Sequence, residues 1–292
     1  MKYRTKLWTS ISAAALIAAS SAVSGMASAG ASHDGAEGAK LGKDTSGSFL
    51  VAQAGEGEGE GEGGEGEGGE GGEGGVDPAA AAKDPAVYLS ALDVIRAHYL
   101  AGEAMLEEED GRQAAGEMFA HPISEVYIDL EPVFEAQGAP LFMDEMTDAV
   151  DLALGDASLD EVKAAVAKVY AALDAAAEKA PAGDHSATAV AAALMADMFD
   201  RAAKQYDLAI GPSGSDEAWI DGYGYWKTAE LRAAELKPQL GDDHAALADE
   251  IAAAEELFGG VYVSPVRPGK PDTEPGALLA ASSRILLKTS SF

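Results

Sequence analysis

The chain has no cysteine, few aromatic residues and few cations, and each shortage excludes something. Without cysteine there is no disulfide, no thiolate metal centre and no thiol for a lipid anchor behind a leader, so stability must come from packing or a bound ligand. Only 20 residues are Lys or Arg against 50 Asp or Glu, and the formal charge is -30. That field repels nucleic acid and anionic lipid and collects cations. Beyond the N-terminal leader no apolar run reaches the roughly 20 residues that span a bilayer. The HExxH zinc motif, the GxSxG nucleophile elbow and the phosphate-binding glycine loop are all missing from the sequence. Strand-like alternation is also missing, except at Val261-Tyr262-Val263. No fixed-period repeat is present either.

The N-terminus carries Lys2, Arg4 and Lys6, then an uncharged run, then Ala27-Ser28-Ala29. This is the pattern of a secretory signal peptide over residues 1–29, with cleavage expected after Ala29. Loss of those three cations takes the formal charge from -30 to -33. A periplasmic or secreted protein is expected, with no membrane insertion after cleavage. Residues 30–76 read as a flexible leader. Within it, Gly55 to Gly75 holds 13 glycines and 8 glutamates and nothing else. Such a composition buries no apolar surface and offsets none of the entropy of ordering, so it reads as a disordered acidic tether. Its spaced carboxylates attract divalent ions, but mobile ligands set no coordination geometry.

Residues 77–263 are alanine-rich and show helical periodicity throughout, which predicts an all-α fold: a bundle of about seven helices joined by short loops. Asp84-Pro85 is a helix start, and the helix behind it carries two adjacent apolar lines, one through Leu92, Ile95 and Tyr99 and one through Val94, His98 and Ala101. Ser158-Leu159-Asp160-Glu161 has the spacing of a capping box. Asp184, Ser215 or Asp216, and Asp242 are the expected caps of later helices. Residues 264–292 read as an extended tail with an amphipathic turn near Leu278 to Leu287.

His98 stands out because it falls on an apolar face, where an imidazole needs a partner. A core histidine bonded to a backbone carbonyl or a carboxylate satisfies that need, and so does a metal. His121 and Glu125 are four apart, so on one helix they offer a nitrogen and an oxygen in the same direction. Pro122 fits equally well as a first helical residue, which makes His121 a cap and places Glu125 in a first turn. Glu117, one turn earlier, extends the acidic set. His185 and His244 follow aspartates and are expected to face water. Met143 and Met146 suit soft copper(I) or, more simply, core filling. Trp219, Tyr223, Tyr225 and Trp226 read as an aromatic packing cluster.

Ile95-Arg96-Ala97-His98-Tyr99-Leu100-Ala101-Gly102, with His121-Pro122-Ile123-Ser124-Glu125-Val126-Tyr127 and Leu130-Glu131-Pro132, resembles exported bacterial helical proteins of the imelysin-like iron-uptake group. Phe199-Asp200-Arg201-Ala202-Ala203-Lys204-Gln205-Tyr206-Asp207, with Tyr223 downstream, is similar to the helical periplasmic regions attached to high-affinity iron permeases. The resemblance implies a periplasmic helical bundle that handles iron or another metal with histidine and acidic ligands. It also implies a membrane permease or another periplasmic protein as partner. The chain departs from the GxHxxE motif of imelysins, with Arg96 at the glycine position and Ala101 at the glutamate position, so that motif's metal site does not transfer directly.

Two readings therefore stand. One is a metal-binding or iron-uptake accessory protein using His98, His121 and Glu125 for a divalent transition metal, iron or copper. The other is an exported helical interaction module without a metal. An enzyme is a third class for which no residue constellation speaks.

Overall fold

In the computed structural model, residues 76–292 except 213 and 291 are described, and they form helices without strands. The signal peptide, flexible leader and Gly/Glu tether expected before residue 76 lie outside the described residues. The all-α expectation holds. A short turn α1 (Pro78–Ala81) leads into α2 (Pro85–Leu106), α3 (Arg112–Pro122), a π-helical turn (Ile123–Tyr127) and α4 (Ile128–Gln137). Then come α5 (Met143–Leu154), α6 (Leu159–Ala177), α7 (Ala187–Ile210), α8 (Asp216–Leu236), α9 (Ala245–Val261) and α10 (Pro275–Thr289).

Helix α2 is the central element. Asp84 caps it through its side chain, and Pro85 occupies the first turn, where a missing N–H costs nothing. It packs against α3, α6, α7 and α8, so it is apolar almost all round. The pairing of α7 with α8 is the most extensive in the domain. Phe199 against Trp226 and Tyr206 against Trp219 set its antiparallel register. Small side chains such as Ala192, Ala203, Ala229 and Ala233 are fully buried and bring helix axes close.

Helix starts follow local chemistry, with some substitutions of the expected residue. Ser158 and Glu161 form the reciprocal capping box, and Ser215 caps α8. At α7 the cap is Ser186 rather than Asp184, because Ser186 reaches the N–H of Ala189. Asp242 opens a single 3-10 turn, and α9 begins after it, at Ala245. We expect Ser158→Ala to destabilise the domain by about 0.5–2 kcal/mol in urea denaturation, since it leaves the Glu161 N–H without its acceptor. Arg112 ties down the same α5–α6 connection by donating to the carbonyls of Leu152, Ala153 and Ala157. A cation there answers the partial negative charge of a helix C-terminus.

Two expectations are corrected. Pro122 does not start a helix: α3 runs into it and continues through the π turn into α4, so His121 is a last-turn residue and not a cap. Pro132 also lies inside a helix, α4, which ends at Gly138, whose φ of 70° is readily adopted only without a Cβ. The strand-like Val261-Tyr262-Val263 belongs to the end of α9 and the turn after it.

The segment expected as an extended tail is pinned and then helical. Trp219 Nε1 donates to the Ser264 carbonyl and the Tyr206 hydroxyl to the Thr273 carbonyl, which tie the connection to the α7–α8 pair. α10 then lays Leu278, Ala281 and Ile285 against α7 and α9. Among the described residues no helix is long and apolar enough to cross a membrane.

Candidate metal centre

Where α2, the π turn and α8 meet, the chain assembles two imidazoles and two carboxylates. His98 is buried on α2, and its Nδ1 lies 2.8 Å from the Val94 carbonyl one turn back. A carbonyl only accepts, so Nδ1 carries the proton and Nε2 presents its lone pair to the site. Nε2 faces Glu125 Oε2 at 3.6 Å and Asp221 Oδ1 at 3.6 Å. The His121 ring stands edge-on to His98 with 6.2 Å between centroids. One ligand atom from each of His98, His121 and Asp221 lies within 4.8 Å of the others.

The π turn explains how Glu125 arrives here. Its wider i to i+5 bonding, seen in the Ile128 N–H donating to the Ile123 carbonyl, inserts an extra residue into the turn. Glu125 is thereby turned toward His98 on the neighbouring helix. His121 instead has Glu217 Oε1 at 3.6 Å from its Nε2. The pairing expected from a spacing of four on one α-helix is replaced by two pairings between elements.

Electrostatics favour a cation in this position. Burial pushes the His98 imidazole below its usual pKa, against the opposing pull of the Val94 carbonyl and Glu125. A neutral imidazole with Nε2 at 3.6 Å from two carboxylate oxygens is a repulsive arrangement that a shared proton or a cation relieves. Arg201 is nearby, but it donates to Asp197 Oδ2 at 3.0 Å and lies over the Tyr225 ring. Asp197 also accepts from Ser90, which fixes that part of the network.

Donors around a first-row ion stand about 3.0–3.4 Å apart when metal–ligand bonds are 2.0–2.2 Å. The two spacings of 3.6 Å at His98 Nε2 therefore need only a few tenths of an ångström of contraction. Two imidazoles with a carboxylate and open positions form a donor set that suits ferrous iron and its first-row neighbours. Met146 is fully buried and Met143 packs against the same core, which fits core filling.

Of the three candidates read from the sequence, His98 has His121 and Glu125 each as a neighbour, but the ligand atoms that lie within 4.8 Å of one another belong to His98, His121 and Asp221, and Glu125 is not among them. The structure leaves out Glu117, which is exposed and accepts from Gln113. His185 is exposed, as expected, but His244 stacks on Phe292 with 4.2 Å between centroids and does not simply face water. Trp219, Tyr225 and Trp226 are buried packing residues. Asp221 is the residue that sequence reading missed. Its signal was available: it lies on the stripe of Ala218, Gly222, Tyr225 and Ala229, an acid on a buried face just as His98 is an imidazole on one.

The chain was also compared with known proteins, and it matches no family model, no curated protein and no solved structure.

Proposed function

We propose that this protein is an exported metal-binding protein, an accessory to metal uptake, that holds a first-row divalent ion at His98, His121, Asp221 and Glu125. The observation that carries the proposal is the His98 Nε2 lone pair set against two carboxylate oxygens at 3.6 Å. A divalent ion balances the charges of Asp221 and Glu125 and turns the repulsion into coordination. The Val94 carbonyl then has the role usual for the far nitrogen of a ligating histidine, which is to hold tautomer and ring orientation.

The nitrogen and oxygen donors favour iron, manganese, cobalt or zinc over copper(I). The acidic chain supports a cationic cargo, and the N-terminal leader pattern supports action outside the cytoplasm, with a permease or another exported protein receiving the ion. In the competing reading, a metal-free interaction module, His98 is a core residue satisfied by Val94.

Elemental analysis separates the two readings. Protein isolated from its native compartment without a histidine tag should contain near-stoichiometric metal, and the double variant His98→Ala/His121→Ala should not. Apo protein should also melt higher as ion is added, because ligand at 100 times Kd contributes about 2.7 kcal/mol. Absence of metal in the isolated protein, with no thermal shift across iron, manganese, cobalt, zinc and copper, would overturn the proposal. The native isolate matters because copper and zinc outrank iron at most such sites in vitro.

A further inference from the structure

Exposure falls steadily inward across the cluster. Glu217 is 58% exposed, Glu125 29% and His121 25%, whereas Asp221 is 6% and His98 4% exposed. Glu217 Oε1 lies 3.6 Å from His121 Nε2, so the outermost carboxylate touches the outer imidazole and the inner ligands lie behind it. Resting on the metal-binding reading above, we infer that Glu217 is the entry ligand of this site. It meets the incoming ion as a hydrated divalent cation and passes it to His121 and then to the buried pair.

The chemistry follows from the order of the groups. An exposed carboxylate can exchange with one water of a hydrated ion without any cost of burial. Moving the ion inward then replaces further waters by His121, Asp221 and His98, whose ligand atoms lie within 4.8 Å of one another. The same acidic rim disfavours anionic metal chelates, so the species admitted is the free aqua cation. Glu217 also lies in the first turn of α8 beside Asp216, where acids offset the helix dipole. That role affects stability by a few tenths of a kcal/mol and has no bearing on the rate at which an ion loads.

The test is stopped-flow loading of the full apo chain with aqueous Co(II), followed by its ligand-field absorption, in wild type, Glu217→Gln and Glu178→Gln. Glu178 is exposed at the end of α6. The neighbouring Ala176 carbonyl accepts from Tyr88, ten residues before His98 on α2 and so about 15 Å away along the helix. That is beyond the roughly 8 Å screening length at physiological salt.

With Glu217→Gln, association and dissociation should slow together by about three- to tenfold, leaving Kd within about twofold, and the salt dependence of loading should flatten. Glu178→Gln should load like wild type. A rise in Kd with association unchanged would make Glu217 a carboxylate that orients His121, and would overturn the inference. So would unchanged kinetics, or equal slowing by Glu178→Gln. Failure of wild type to take up Co(II) would instead bring down the metal-binding reading itself.

Discussion

Arg232→Met should lower the stability of the domain by about 3–5 kcal/mol near neutral pH, the usual cost of leaving one member of a buried ion pair alone. Asp93 is fully buried on α2, and Arg232 of α8 holds it with two hydrogen bonds of 2.8 and 2.6 Å. Methionine keeps much of the packing volume and removes the charge. Burial already raises the Asp93 pKa above its ordinary value, with Arg232 pulling it back down. Without Arg232 the folded-state value rises further. The native state then binds a proton more readily than the unfolded chain, so this group's contribution to stability falls as pH rises from near 3.8 through the folded value. The deficit of the variant should therefore be smallest at acid pH and largest at neutral pH. Adding Asp93→Asn to Arg232→Met should restore part of the loss at neutral pH, because no charge is left to bury. Urea denaturation of the three proteins across the acid-to-neutral range checks this. A deficit independent of pH, unrelieved by Asp93→Asn, would show that lost packing and not lost charge compensation is responsible.

Gly224→Ala should be destabilising and should also weaken metal binding, although alanine is the better helix former by about 1 kcal/mol. A Cβ at Gly224 would stand 2.2 Å from the Ala97 carbonyl oxygen and 3.0 Å from Ala101 Cβ. Backbone cannot rotate out of the way as a side chain can, so α8 must move off α2. Overpacking of this kind costs about 1–3 kcal/mol. Ala97 and Ala101 flank His98, and Asp221 lies one turn before Tyr225 on the same helix as Gly224. Any separation there therefore widens the 3.6 Å approach of Asp221 to His98. Co(II) affinity should drop at least about tenfold, equivalent to 1.4 kcal/mol. Gly260→Ala is the matched control, since nothing lies within 4 Å of its added Cβ near the end of α9. It should be neutral or stabilising by up to about 1 kcal/mol and leave metal affinity alone. If the two variants melt and bind alike, close helix contact at Gly224 does not hold the site together.

Both predictions concern the α2–α8 contact, because that contact places the site. Arg232 to Asp93 and Gly224 against Ala97 fix the register in which Asp221 meets His98. A metal bound there should tie α2, the π turn and α8 into one unit. Ligand-induced protection of backbone amides is therefore expected first in these elements.

By itself the sequence determined the helical class, most helix starts, the capping box at Ser158 and the identity of His98, His121 and Glu125 as residues out of place on apolar or turn positions. Each of these rests on local physics: a period of 3.6, a side chain reaching a free N–H, an imidazole among aliphatics. Only the tertiary structure decided that His98 and His121 come together, that Asp221 and Glu217 join them from α8, and that Pro122 sits inside a continuous helix. It also decided that the chain after Val263 folds back as α10. Contacts between helices depend on how closely two backbones approach and at what register, and that is set by the sum of many small residues. The π turn depends likewise on neighbours, since an extra residue in a helix persists only where surrounding packing holds it. No single spacing in the sequence encodes either one.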